Sequence, residues 1–339
     1  MHLLRGRLTT QSRRWRCAAL VLALLVAALP AAAEPPVWQV PDVDALPDDA
    51  FGRTARYGRD LIVHTASLLG PDAPDPAMRY AGNHLDCQSC HLDAGTKQFG
   101  LPLTVWGVFP TFIGRENEVR TLDERINGCM ERSMNGRALP VAGPEMKALL
   151  TYIRAISDGM PTGASFPGRG APVLKPPETE ADLAQGARVY AATCAACHQP
   201  DGQGLRQDAA ASAGSRHYYV FPPLWGPDSY NDGAGMARPL TAAQFIRANM
   251  PNGTTFKHPV LSENDAFAVA VFINSQKRPH LDGIEHDYPD RSLKPADATY
   301  APFVGPFSPA QHLKGPWLPI QQWQRDNAAR LKAEAGGAP

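Results

Sequence analysis

Two stretches of the chain, CQSCH at residues 87–91 and CAACH at residues 194–198, repeat one pattern, CxxCH. In each, two thiols lie three residues apart with a histidine immediately after. This is the attachment signature of c-type haem: both cysteines become thioethers and the histidine becomes an axial iron ligand. Cys87, Cys90 and His91 form the first set, and Cys194, Cys197 and His198 the second. Zinc sites would need dedicated thiols beyond these pairs, and structural disulfides leave the trailing histidines unexplained. The expected cofactors are two covalently bound haem c groups, each with its iron.

The flanks repeat as well. Ahead of the first motif, ARYGRDLIVHTASLLG places Tyr57, Leu61, Ile62 and Leu68 near helical spacing, and ahead of the second, ADLAQGARVYAAT does the same with Leu183, Ala187 and Tyr190. Each motif is followed by loops, a short helical pattern and a longer apolar helix. The first such helix opens at Pro144, suited to the first helical turn. The second opens after Ser262, a side chain suited to an N-cap, with Asp265 three residues on. The reading is an all-α fold: two cytochrome c-type domains in tandem, at residues 34–160 and 179–285. A Pro/Gly-rich linker (161–178) joins them, and a proline-rich tail (286–339) follows, whose Tyr300, Phe303, Phe307 and Trp317 argue for packing on the body.

Residues 1–33 hold five arginines, an apolar run too short to span a bilayer comfortably, and a small-residue cleavage pattern, so they read as a secretory signal peptide. An exported, periplasmic protein is expected, with no membrane anchor after cleavage. Of the 33 basic residues, 28 then remain against 33 acidic ones, a formal charge of −5. That balance gives no basic face for nucleic acid.

The sixth cysteine, Cys17, falls in the signal segment, which leaves Cys129 in INGCMERSMNG as the one outside both motifs. An iron with one axial histidine takes a second ligand or stays open. In the second half TAAQFIRANMPNG ends near Met250, about a dozen residues before the last helix; Met236 is the rival. In the first half TLDERINGCMERSMNG puts Cys129 in the corresponding place, with Met130 and Met134 as alternatives. A thiolate ligand lowers a haem's potential relative to methionine and brings sulfur chemistry that electron transfer alone does not need. On a helix, Arg125, Cys129 and Ser133 share one stripe at i−4, i and i+4. Arg115, Arg132, Arg137 and Lys97 are near in sequence and suit a tetrahedral oxyanion, unless they pair with haem propionates or with Glu116, Glu118, Glu124 and Glu131.

RYGRDLIVHTASLLG, AGNHLDCQSCHLDAG, ERINGCMERSMNGRALP, FPPLWGPDSYNDGAGMARPLTAAQFIRANMP and DYPDRSLKPADATYAPFVGPFSPAQH together resemble the dihaem thiosulfate dehydrogenases, which join two thiosulfates into tetrathionate. The resemblance covers nearly all of the chain after the signal segment. It implies His91 and Cys129 as ligands of an active-site haem, and His198 and Met250 as ligands of a relay haem. It also implies substrate contacts from Arg125, Ser133 and Arg115, and a soluble cytochrome c or similar protein as electron acceptor. Some family members place a lysine beside the relay methionine; Asn249 stands there here, so a lysine ligand is not expected. His84, just ahead of the first motif, is an extra potential ligand without an assigned role. Tetrathionate reduction by the reverse reaction, or electron transfer without catalysis, are the alternatives.

Overall fold

A computed structural model describes residues 38–163, 167–207 and 216–336. The segment read as a signal peptide, residues 1–33, lies outside the described residues. Gln39–Pro339 form one compact unit. Its longer helices are α1 (Ala50–Val63), α2 (Leu122–Arg132), α3 (Pro144–Ile156), α4 (Leu183–Val189), α5 (Pro239–Asn249), α6 (Glu263–Asn274) and α7 (Leu318–Gly336). Two short antiparallel ladders interrupt the all-α expectation. β1 (Thr111–Ile113) pairs with β2 (Glu118–Arg120), and β3 (Leu205–Arg206) with β4 (Tyr219–Phe221).

The helix boundaries follow from local chemistry. Asp49 caps α1 by accepting from the Gly52 amide at 2.8 Å. Pro144 occupies the first turn of α3, and Ser262 caps α6 by accepting from the Asp265 amide at 3.1 Å. Thr121 and Glu124 form a reciprocal capping box that opens α2.

The halves share one packing device. α1 lies across α3, where Gly58 sits directly against the Ala148 carbonyl; α4 lies across α6, where Gly186 sits directly against the Ala268 carbonyl. A Cβ at either glycine would overlap that carbonyl, so each crossing depends on the missing side chain. α1 then buries Ala55, Leu61 and Ile62 on one stripe, and α3 buries Met146, Leu149, Tyr152, Ile153 and Ile156 against it. Tyr57, expected on the apolar stripe of α1, is instead exposed.

α6 is apolar nearly all round, with Ala266–Val271 buried in one run, so it needs cover on several sides. α4 and α5 supply part of it. The C-terminal segment supplies more, because Trp317 and Ile320 are fully buried in the same cluster and Trp317 lies 6.1 Å from the Phe267 ring.

The halves also differ. In the second, the helical path from Leu183 runs through a π-helical turn, Tyr190–Cys194, straight into Ala195–His198, so CAACH lies on it. In the first, α1 ends at Val63, and a short helix (Thr65–Leu69) and a 3-10 turn (Pro76–Met78) intervene before a separate 3-10 turn at Cys87–Ser89. The Cys87 amide there is fixed by Thr65 Oγ1 at 3.0 Å.

Candidate active site at Cys129

Both motif histidines are pre-oriented. His91 Nδ1 lies 2.6 Å from the Leu101 carbonyl, and His198 Nδ1 lies 2.7 Å from the Pro222 carbonyl. A carbonyl only accepts, so each Nδ1 carries a proton, which fixes the ring and leaves Nε2 as the nitrogen available to a metal. Burial also pushes the His198 ring down from its ordinary pKa, towards the neutral form that coordination requires. Burial pushes Cys87 and Cys90 up to about 12 and Cys194 up to about 11, so these three are held as neutral thiols. Beside the second motif lies a cavity of about 420 Å³, lined by Cys194, Cys197, His198, Met250 and Met236 and walled by apolar side chains such as Phe245. Its far wall includes Leu85 and Cys90 of the first half, so the two motifs adjoin one space. An oriented histidine, two thiols, a thioether and an apolar cleft fit haem c.

Cys129 behaves differently from the four motif thiols. It lies in the last turns of α2, with Arg125 Nη1 3.2 Å from its sulfur, one helical turn away as the i−4 spacing predicts. Burial opposes its ionisation. Arg125, the neighbouring His91 and the charge of Arg115 outweigh that and bring the thiol down to about 6. At neutral pH it is therefore a thiolate beside an axial-type histidine, close to Cys87 and Cys90. Met130 and Met134, its rivals, are buried in the hydrophobic core.

The expected parallel between Cys129 and Met250 holds in broad position and differs in register. Cys129 is inside α2, whereas Met250 is the C-cap of α5 in an extended conformation. Pro251 explains the difference, because a residue before proline is driven out of the helical region. Met236 packs against the cores of both halves, and like Met250 it lines the cavity. Asn249, in the position where a lysine was discounted, is buried and donates through Nδ2 to the Phe99 carbonyl of the first half at 2.9 Å.

Not all of the basic cluster reaches the thiol. Arg125 does, and the charge of Arg115 acts on it without a contact to the sulfur among the hydrogen bonds. Ser133 caps α2, its amide bonding the Cys129 carbonyl, and its own carbonyl accepts from Asn83 at 3.0 Å. Arg132 is taken by Asp287, with contacts of 2.8 and 2.6 Å. Arg137 lies over the Tyr80 ring at 4.0 Å and donates to the Ala77 carbonyl. Among the glutamates, Glu124 is engaged by Thr121 and Arg120 rather than by Arg125. His84 is a fastener between the halves: its Nδ1 is 3.0 Å from Asp228 and its ring stacks on Tyr218 at 3.9 Å.

The sequence reading missed the contribution of the C-terminal segment to this region. Asp287, Tyr288 and Tyr300 surround Arg115 and Arg132. A dense run of tyrosine and charge in DYPDRSLKPADATY was the available signal.

Fold and site define a protein with two cytochrome c domains in one chain. Residues 80–162 match the SoxA/TsdA cytochrome c domain, and residues 181–273 match the family described as cytochrome c oxidase, cbb3-type, subunit III. The chain is 38% identical over 240 residues to the thiosulfate dehydrogenase of Thiomonas intermedia, covering 70% of each chain. It is 40% identical over 245 residues to that of Stutzerimonas stutzeri, covering 71% of this chain and 73% of the relative. The solved thiosulfate dehydrogenase TsdBA from Marichromatium purpuratum, in its as-isolated form, superposes with a TM-score of 0.65 at 38% identity. That match covers 75% of this chain and 51% of the solved one, so this chain spans about half of that relative's length. The chain belongs to the thiosulfate dehydrogenase family.

Proposed function

We propose that this protein is a dihaem thiosulfate dehydrogenase that joins two thiosulfates into tetrathionate at Cys129. The observation that carries the reading is the convergence of His91, Arg125 and Arg115 on one ionised thiol. Electron transfer alone uses a thioether and gains nothing from a thiolate flanked by guanidinium groups; sulfur–sulfur bond formation uses all of them.

Haem c, attached through Cys87 and Cys90 in one domain and Cys194 and Cys197 in the other, supplies one-electron acceptors next to this chemistry. His91 and Cys129 would hold the first iron, and His198 and Met250 the second. Arg125 and Arg115 receive the thiosulfate oxyanion and neutralise its charge against that of the thiolate. The Cys129 sulfur and the sulfane sulfur of thiosulfate form a bond, giving Cys129–S–S–SO₃⁻; this is a two-electron oxidation, and bound haem c would supply its acceptors. The sulfane sulfur of a second thiosulfate then attacks the sulfane sulfur bound to Cys129. The new S–S bond completes tetrathionate, and the Cys129 thiolate leaves unchanged. Ser133 lies one turn beyond Cys129, where its hydroxyl serves the same anion. A soluble cytochrome c or similar protein would be the final acceptor. The same groups run the reverse reaction when tetrathionate is supplied with a reductant.

The domain assignment follows the sequence boundaries: 34–160 for the active-site haem, 161–178 as linker, 179–285 for the relay haem and 286–339 as tail. Export through residues 1–33 places the mature protein in the periplasm. No described helix is long and apolar enough to cross a membrane.

Adding thiosulfate to the purified oxidised protein is expected to reduce its haem, seen in the Soret band, with tetrathionate formed in proportion. Unchanged absorption and no tetrathionate would leave a non-catalytic electron-transfer protein. Met250 and Met236 separate by substitution. Met250→Ala is expected to lower the potential of one haem by on the order of 0.1 V, while Met236→Ala leaves the axial set intact. Redox titration that shows the large shift in the Met236 variant instead would reassign the ligand.

A further inference from the structure

His91 and Met250 belong to different halves, yet one short stretch of the first half, Phe99–Gly100–Leu101, reaches the neighbourhood of both. Each of its carbonyls has a partner. The Leu101 carbonyl lies 2.6 Å from His91 Nδ1 and fixes that ring. The Gly100 carbonyl accepts from the amide of Leu92, next to His91, at 3.1 Å. The Phe99 carbonyl serves the second half, accepting from Asn249 Nδ2 at 2.9 Å. Asn249 is buried and directly precedes Met250; the same Nδ2 also donates to the Phe245 carbonyl at 3.0 Å. Two carbonyls therefore take both protons of that amide.

Phe99 is held on two further sides. Its amide donates to the Gly168 carbonyl at 2.8 Å, and its ring stacks on Phe256 with centroids 4.0 Å apart and an interplanar angle of 18°. Phe99 and Leu101 adopt φ of 59° and 56°, in the left-handed region that residues other than glycine seldom occupy. Such a backbone persists where the surrounding contacts over-determine it. At Phe99 those contacts come from Gly168, Asn249 and Phe256, all later in the chain than the first haem motif and its helices. The second half thus sets the path of the loop that brings the Leu101 carbonyl to His91.

We propose that Phe99–Gly100–Leu101 is a positioning element shared by the two iron sites: through Asn249 and Phe256 the second half sets the hydrogen bond on His91, and with it the potential of the first haem. Donation from Nδ1–H to a carbonyl raises the basicity of a ligating imidazole, which favours the oxidised iron. Asn249 and Phe256 are then positioning residues for an iron in the other half that neither of them ligates. This inference rests on the two-haem part of the reading above and not on its thiosulfate chemistry.

The test is a redox titration of the purified haem-loaded protein, with Met250→Ala marking which wave belongs to the second haem. Asn249→Ala removes the donor to Phe99. It is expected to move the other wave, that of the first haem, upward by about 10-fold towards the reduced form, ~59 mV for a one-electron couple. Phe256→Ala, at a side chain 44% exposed, is expected to shift the same wave the same way by about 2- to 3-fold. Phe256→Tyr keeps the stacked ring and is expected to leave that wave in place. A lowered melting temperature with the first wave unmoved identifies a merely structural contact and overturns the proposal, as does a shift confined to the second wave. If Asn249→Ala does not fold, the Phe256 pair decides alone. A wild-type protein in which only one haem titrates removes the two-haem reading and this inference with it; two waves, with the first unmoved in every variant, remove this inference alone.

Discussion

Cys129→Gly is expected to lose thiosulfate oxidation by roughly 10³-fold or more while both haems remain attached, because it removes the nucleophile and none of the attachment groups. The four motif thiols cannot substitute. Burial holds Cys87 and Cys90 near 12, and the proposed thioethers would consume them. Cys129 alone among the described cysteines is brought down, to about 6, by Arg125, His91 and Arg115 acting against burial. Cys129→Met separates ligation from reactivity: a thioether can still bind iron but cannot form and release a disulfide. It is expected to be as inactive as glycine, with a haem of higher potential. Stopped-flow reduction by thiosulfate, a tetrathionate assay and the haem-to-protein ratio together read both variants. Thiosulfate oxidation at wild-type rate in either one would remove Cys129 from the mechanism.

The second large effect concerns the other half. Cys194→Ser combined with Cys197→Ser is expected to drop the haem content from two per chain to one and to unfold the C-terminal domain. The cavity beside these cysteines is about 420 Å³ and largely apolar. Left unfilled, a void of that size costs on the order of 10 kcal/mol, comparable with the whole stability of a domain. Pyridine haemochrome quantitation and far-UV circular dichroism check the two parts. A double variant with one haem and a wild-type melting curve would mean that the domain folds on its side chains alone.

The haem motifs, the capped helix starts and the apolar final helices were legible in the chain because each depends on residues within a turn or two. Ser262 with Asp265, Thr121 with Glu124, and Pro144 in a first turn need no distant partner to act. The Arg125–Cys129 contact was legible for the same reason, since i and i+4 meet on any helix. Spacing placed Cys129 and Met250 in similar positions but did not reveal that one is inside its helix and the other caps it. The glycines at the helix crossings were also silent, since only the crossing shows that Gly58 and Gly186 each face a carbonyl.

The sequence by itself determined the chemistry: two CxxCH sets, a lone cysteine and arginines around it. Which of these arginines is engaged elsewhere was decided only in three dimensions. Arg115, Arg125 and Arg132 are chemically alike, and nothing local distinguishes them. Asp287, far along the chain, takes Arg132, and the Tyr288 amide donates to the Arg115 carbonyl. Likewise the sequence leaves His84 without a role, and the fold sets Asp228 and Tyr218 against it. Such pairings join segments far apart in the chain, so they depend on how the halves and the tail pack rather than on any periodicity along it.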